Sequence, residues 1–212
     1  MRLPRTLSVA CLSALGMALA TVPAQAAPGD AVADGNAGSA MIGQTTVPPI
    51  APCTTEGALQ AANSEVSVPN VVTYSDSKAV CTIDDVGEIA TVAVTGGRFR
   101  FDALRAHNGP RIRLSSYSAK CETTLTGSKA SFTFSGLSGI SVPSQIPQNH
   151  VVTIPGGPEG KPKATVTFNE TIVPNPPDGS MTVHLMHIRM FPQGGPATGD
   201  AYVGTVHCSP VS

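Results

Sequence analysis

The chain has 212 residues and a formal net charge of −1 at pH 7, and only 13% of its residues are charged, against about 25% in typical soluble domains. This near-neutral balance argues against nucleic acid as a bulk partner. The apolar run near the N-terminus is too short for a membrane span of ~20 residues, and no later segment approaches that length. The composition, rich in Thr, Ser, Val, Gly and Pro, is typical of an extracellular β protein.

The N-terminal residues have the three parts of a secretory signal peptide. Arg2 and Arg5 form a charged region, and the apolar run LSVACLSALGMALATV follows them. The small residues of AQA then predict cleavage between Ala26 and Ala27. We therefore expect residues 1–26 to be a signal peptide and the mature protein to be secreted.

Residues 27–52 are rich in small residues, proline and glycine and show no periodicity. Such a segment has too little large apolar surface to offset the entropy lost on ordering. The sequence predicts a flexible linker here and a single domain over residues 53–212.

Four cysteines follow the predicted cleavage site: Cys53, Cys81, Cys121 and Cys208. An even number in a secreted chain predicts two disulfides, for which three connectivities are possible. We favour Cys53–Cys81, which is local, and Cys121–Cys208, which would tie the last strand to the middle of the chain. No Cys-x-x-Cys or Cys/His cluster suggests zinc.

From Val66 onward, short runs rich in β-branched residues alternate with Gly- and Pro-containing turns. About ten short strands at this spacing predict an all-β, disulfide-stapled, two-layer β-sandwich. The stretch RFRF places Phe99 and Phe101 on one face, toward the core. The one helix candidate is TTEGALQAAN, in which Thr54 or Thr55 could cap a short helix.

The stretch SMTVHLMHIRMF combines two histidines with three methionines, which is a soft-metal composition. In a regular strand His184, Met186 and Met190 share one face and His187 takes the other, so the two histidines cannot bind one ion together. His184, Met186 and Met190 are therefore the candidate Cu(I) ligands. Because no other segment supplies further ligands, and methionine is a common core residue, we expect neither a metal nor a cofactor.

Glu170 lies between Phe168 and Ile172 in VTFNETI, on what alternation predicts to be the apolar face. A buried carboxylate needs a partner. The next strand offers His184, His187 or Arg189 as that partner, and the choice depends on a register that the sequence does not fix. We expect a structural ion pair or hydrogen bond, with Glu170 and His187 as the buried polar candidates. No second carboxylate stands in a defined relation to Glu170, as glycoside hydrolysis would require.

Two predicted strands carry paired arginines, and the turn HNGP should bring them side by side. Such a patch could hold anionic wall polymers or phosphate, although exposed arginines more often mark a solvated face. The candidate binding residues are Arg98, Arg100, Arg111 and Arg113.

Several motifs recur in an order that resembles the choice-of-anchor P family of secreted actinobacterial proteins. They are APCTTEG, GGRFRFDAL, SYSAKCETT, SGLSGISVPSQIPQN, VTFNET, MTVHLMHIRM and GDAYVGTVHC. The resemblance covers roughly Cys53 to Cys208. It implies an extracellular β domain, often held at the cell surface by a C-terminal anchor, without an established catalytic activity. The ending CSPVS carries no LPxTG signal, so free secretion is expected.

No catalytic set is recognisable, since the Gly-x-Ser-x-Gly nucleophile motif is absent. We therefore expect a secreted, non-enzymatic protein that acts at or near the cell envelope through binding or structure. A cell-wall polymer or another surface protein would be its partner. The alternatives are a copper-binding sandwich that uses the Met/His strand, a secreted hydrolase, and a protease inhibitor.

Overall fold

The computed structural model describes residues 29–211. The predicted signal peptide and its cleavage site at Ala26 and Ala27 lie outside the described residues. Antiparallel strands form two sheets that enclose one apolar core between them. The predicted all-β two-layer sandwich is thus confirmed, with fourteen strands in the described part of the chain rather than about ten.

The first sheet has the strand order β11-β12-β13-β14-β1-β2, with β3 also paired to β1. Its strands are β1 (Val32–Ile42), β2 (Thr45–Ile50), β3 (Cys53–Thr54), β11 (His150–Ile154), β12 (Ala164–Ile172), β13 (Met181–Met190) and β14 (Gly199–Ser209).

The second sheet has the order β10-β9-β6-β5-β7-β8, with β4 also paired to β5. Its strands are β4 (Gln60–Val68), β5 (Val72–Ile83), β6 (Ala90–Gly96), β7 (Phe99–Phe101), β8 (Ile112–Leu114), β9 (Ser116–Thr124) and β10 (Gly127–Ser135). Short 3₁₀ segments lie at Ala103–His107 and Pro158–Gly160.

The two predicted disulfides are confirmed, and both join the layers. Cys53 of β3 bonds to Cys81 of β5, and Cys121 of β9 bonds to Cys208 of β14. All four cysteines are buried. The bonds therefore link the first sheet to the second through the core.

The prediction of a flexible linker over residues 27–52 is wrong for its described part. Strand β1 lies inside the first sheet, between β14 and β2. Its alanines, such as Ala33 and Ala37, are fully buried. Small residues suffice in β1 because large side chains of the second sheet fill the space beside them. A Cβ at Gly38 would lie 2.2 Å from the Tyr74 ring. Composition alone underestimated the burial that tertiary packing provides.

The helix predicted in TTEGALQAAN is also wrong. Cys53–Thr54 form strand β3, a turn follows, and Gln60 begins strand β4. Strand β4 pairs along its length with β5. Pairing with β5, together with the Cys53–Cys81 disulfide, overrides the weak local preference for a helix.

Along a row across the first sheet, adjacent strands break the regular alternation of side chains, so that two consecutive residues face the same side. We call each such break a pleat inversion. In β13 the consecutive residues Leu185 and Met186 are both fully buried, and in β14 so are Val203 and Gly204. In β12 the inversion occurs at Asn169, whose φ is +52°. Residue pairing keeps the same register on both sides of the row. Side chains beyond the row therefore point to the opposite face from the one that strict alternation predicts.

Two tyrosines of the second sheet satisfy backbone carbonyls near this row. The Tyr117 hydroxyl donates to the carbonyl of Ala37 at 3.0 Å. The Tyr74 hydroxyl lies 2.9 Å from the carbonyl oxygens of both Ser39 and Tyr202. Burial raises the pKa of Tyr117 to about 12 and that of Tyr74 well above its usual value. Both hydroxyls thus remain protonated donors in the core.

We expect Tyr74→Phe to lower the free energy of unfolding by about 1 kcal/mol, because it removes the hydroxyl that donates to the partly buried Ser39 and Tyr202 carbonyls. Urea denaturation of the variant checks this value. Ser116→Ala is the control, since it removes an exposed hydroxyl that pairs with Ser135 and should change stability by less than ~0.5 kcal/mol. Equal effects of the two substitutions would contradict the role given to Tyr74.

Candidate functional site on the outer face of the first sheet

The pleat inversion brings both histidines of β13 to the outer face, meaning the face of the first sheet turned away from the second. Their ring centroids lie 6.2 Å apart. Met186 and Met190 are buried in the core. The prediction that His184 shares a face with these methionines, and that the two histidines are separated, is therefore wrong. Strict alternation fails between Leu185 and Met186.

The placement of Glu170 on the apolar face is likewise wrong. Phe168 is fully buried, but the positive φ of Asn169 turns the Glu170 side chain to the outer face. Ile172, predicted to share a core face with Phe168, is 53% exposed. Of the three partners left open for Glu170, the structure pairs it with His187, at 2.9 Å between carboxylate and Nδ1.

His187 is held between two carboxylates. Its Nδ1 contacts Glu170, and its Nε2 lies 2.7 Å from Oδ1 of Asp200. The same Asp200 oxygen accepts a hydrogen bond from Arg189 Nε at 2.9 Å. Only 5% of the His187 side chain is exposed, against 22% of Glu170 and 29% of Asp200. Both ring nitrogens of His187 are therefore occupied.

Tyr202 adds a third ring to this group. His187 and Tyr202 are cross-strand neighbours, with centroids 4.3 Å apart in a stacked arrangement. His184 lies 4.6 Å from the same ring. We call Glu170, His184, His187, Arg189, Asp200 and Tyr202 the histidine cluster.

Electrostatics favours a charged His187. Burial by itself lowers the pKa of His187, but hydrogen bonds with Glu170 and Asp200 outweigh it, and the net shift is upward. For both carboxyls, burial opposes ionisation, and their hydrogen bonds lower the pKa overall. The cluster thus pairs two carboxylates with two cations, His187 and Arg189.

His184 behaves in the opposite way. Burial lowers the pKa of its imidazole to about 4, despite the nearby Glu170 carboxylate. Its Nδ1 lies 2.9 Å from the Thr205 hydroxyl, whereas its Nε2 is 3.9 Å from Glu170. The second distance is beyond hydrogen-bonding range. His184 therefore forms no hydrogen bond with Glu170, and it cannot pass a proton from the Thr205 hydroxyl to that carboxylate.

A surface groove of about 370 Å³ begins at the Arg189 and Asp200 end of the cluster. Its remaining lining combines apolar residues, among them Met41, Phe191 and Pro192, with glycines and Thr198. A concave surface that combines apolar and polar groups is typical of small-ligand sites. Within residues 29–211, no group of three or more His, Cys, Asp or Glu side chains could hold a metal ion.

The four candidate arginines belong to the other layer: Arg100 and Arg113 lie in β7 and β8 of the second sheet, and Arg98 and Arg111 lie next to these strands. Strands β7 and β8 are neighbours, as predicted, and Arg100 lies opposite Arg113. Asp102 forms ion pairs with both Arg100 and Arg111, and Glu65 pairs with Arg98. These acids neutralise much of the patch, and its binding role stays a prediction.

Sequence reasoning missed the contributions of Asp200 and Tyr202. Both were visible only as parts of the motif GDAYVG, and their alignment with His187 and Arg189 depends on the β13–β14 register. The motifs VTFNET, MTVHLMHIRM and GDAYVGTVHC, which help to carry the family resemblance, turn out to be the three adjacent strands of the cluster.

No protein-family model matches the chain, and neither the curated proteins nor the solved structures contain a significant match. Among the described residues, no helix is long and apolar enough to cross a membrane.

Proposed function

We propose that this chain is a secreted, non-enzymatic protein that binds a neutral, hydroxyl-rich polymer of the cell envelope through the histidine cluster and the adjoining groove. The observation that carries this proposal is the ion pair of Arg189 and Asp200 at the head of the groove, with the partly exposed Tyr202 beside it on the outer face. Carboxylate and guanidinium groups supply acceptors and donors for hydroxyls, and the aromatic ring offers an apolar surface.

Charge supports a neutral ligand over a polyanion. The two carboxylates of the cluster are balanced by His187 and Arg189, so the site carries no excess positive charge to attract phosphate or uronate groups. On the second sheet, Arg98, Arg100 and Arg111 are already paired with acids. The resemblance to choice-of-anchor P proteins supports the envelope as the location.

The non-enzymatic part of the proposal rests on the state of the two histidines. His187 has both nitrogens engaged by carboxylates, which leaves neither free to move a proton to a substrate. His184 contacts a threonine hydroxyl through Nδ1, and its Nε2 lies 3.9 Å from Glu170, too far for that carboxylate to orient the ring by a hydrogen bond. Reproducible turnover of an envelope polymer by the pure protein would contradict this part.

A pull-down on purified cell wall tests the binding role. We expect Arg189→Ala, at a side chain that is 53% exposed, to reduce the bound fraction at least ~5-fold, because truncating a central anchor typically costs more than about 1 kcal/mol. A neutral polysaccharide should compete for binding, and a polyanion should not. Arg113→Ala, on the second sheet, is the matched control and should bind like the unmodified protein. Undiminished binding by Arg189→Ala would refute the proposed site.

A further inference from the structure

A second cavity lies where edge strand β11 meets the loops around β8. Its volume is about 330 Å³. Most of the wall is apolar, and the apolar residues are Pro110, Ile140, Val152, Ile154 and Pro155. This cavity shares no residue with the histidine cluster, and its role is independent of the function proposed above.

Lys163 lines this cavity and is only 8% exposed. Its backbone is fixed on both sides, because its N–H donates to the Ile154 carbonyl at 2.8 Å and its carbonyl accepts from Phe191 at 2.9 Å. Two glycines flank the side chain: a Cβ at Gly109 would lie 3.3 Å from its Cδ, which is a tight contact, and one at Gly156 would lie 3.5 Å from its Nζ, in ordinary van der Waals contact. The ammonium group therefore has a defined position.

The ammonium group lacks a counter-charge within the described residues. Nζ donates a hydrogen bond to the Asn108 carbonyl at 3.2 Å, and Lys163 forms no ion pair with any described residue. The nearby acid Glu159 pairs with Lys161 instead, at 2.8 Å. An ammonium has three donors, and burial of an unpaired charge is costly. Since Asn108 also lines the cavity, the charge lies at the cavity wall.

We propose that this cavity binds a small organic carboxylate with an apolar body, whose carboxylate pairs with Lys163. A compact ammonium suits a single carboxylate, and the pairing removes the cost of the unpaired charge. At ~30 Å³ for each water-sized group, a volume of about 330 Å³ accommodates roughly ten non-hydrogen atoms. Octanoate has about ten non-hydrogen atoms, which matches this volume, and it is therefore the probe.

Isothermal titration calorimetry of the full chain with octanoate, and with the uncharged analogue octanamide, tests the proposal. We expect saturable binding of one octanoate per chain and at least ~10-fold weaker binding of octanamide, because the charge-assisted hydrogen bond is lost. Lys163→Met should remove the preference, so that both ligands bind equally. Absence of saturable octanoate binding, or equal affinity of the unmodified chain for both ligands, would overturn the proposal.

A second variant covers the case in which Lys163→Met fails to fold. Ile140 is a partly buried loop residue in the cavity wall, and Ile140→Trp fills the cavity while Lys163 stays in place. We expect this variant to lose octanoate binding at least ~10-fold, because the space for the apolar body is gone. Binding of octanoate by Ile140→Trp at the affinity of the unmodified chain would also overturn the proposal.

Discussion

Replacement of His187 by alanine is expected to lower the free energy of unfolding by about 3 kcal/mol. The substitution leaves Glu170 and Asp200 without their shared partner and removes a buried ring. Loss of one partner of a buried charge pair costs ~3–5 kcal/mol, and the partial exposure of both carboxylates reduces this figure. Urea denaturation at neutral pH measures the change.

His207→Ala is the matched control for this substitution. His207 lies on the neighbouring strand β14, and its Nδ1 lies 3.0 Å from the Thr182 hydroxyl. A single hydrogen bond of this kind contributes about 1 kcal/mol. Should both alanine variants lose the same stability, His187 would not hold the two carboxylates as described.

The stability of the protein should also depend on pH in a defined way. Since the pKa of His187 is raised by Glu170 and Asp200, its contribution is complete below the unfolded value of 6.5 and is lost as pH rises through the folded pKa. His184, with its pKa lowered to about 4, acts in the opposite sense, and stability rises between pH 4 and 6.5. The lowered carboxyl pKa values add to the loss at acid pH. We therefore expect a stability maximum near pH 6.5.

Removal of the Cys121–Cys208 disulfide is expected to cost about 4–5 kcal/mol, from the loop-closure entropy of the unfolded chain. The bond closes a loop with a sequence separation of 87 and joins the second sheet to the first through buried positions. The variant Cys121→Ala/Cys208→Ala should therefore unfold at a much lower urea concentration than the unmodified protein. Equilibrium denaturation of both proteins tests this.

The second disulfide provides a matched comparison. Cys53 and Cys81 are also buried, but their sequence separation is only 28. The chain-entropy relation assigns this loop about 1 kcal/mol less than the longer one. A greater loss from Cys53→Ala/Cys81→Ala than from the Cys121 and Cys208 pair would show that loop length does not govern the contribution.

Local alternation predicted the second sheet better than the first. Phe99 and Phe101 were assigned to the core from the stretch RFRF, and both are fully buried. The even cysteine count predicted two disulfides and local spacing suggested one pair. These predictions succeed because the core face of RFRF depends only on neighbouring residues, and because four cysteines can form no more than two disulfides.

Strand β1 could not be recognised in the same way. It lacks large apolar residues over most of its length, and its main partner β14 lies at the far end of the described chain. The Tyr74 hydroxyl bonds to the Tyr202 carbonyl across 128 positions. Burial of alanine and glycine by a distant tyrosine leaves no periodic signal in the local sequence.

The histidine cluster depends on the pleat inversion, which is equally hidden from sequence periodicity. Asn169 tolerates a positive φ better than most residues, which is a weak local hint. Leu185 and Met186 carry no hint at all, since either could face the core in a regular strand. The inversion arises only when neighbouring strands share it across the sheet.

The inverted pleat places His184 and His187 together on the outer face, where we expect them to have opposite protonation states at neutral pH. An NMR titration of the two imidazoles, assigned with His184→Gln and His187→Gln, tests it most directly. We expect His184 to titrate near pH 4 and to stay neutral above it, and the pKa of His187 to be raised above 6.5 by its two carboxylates. Titration of both rings together near pH 6.5 would contradict the account.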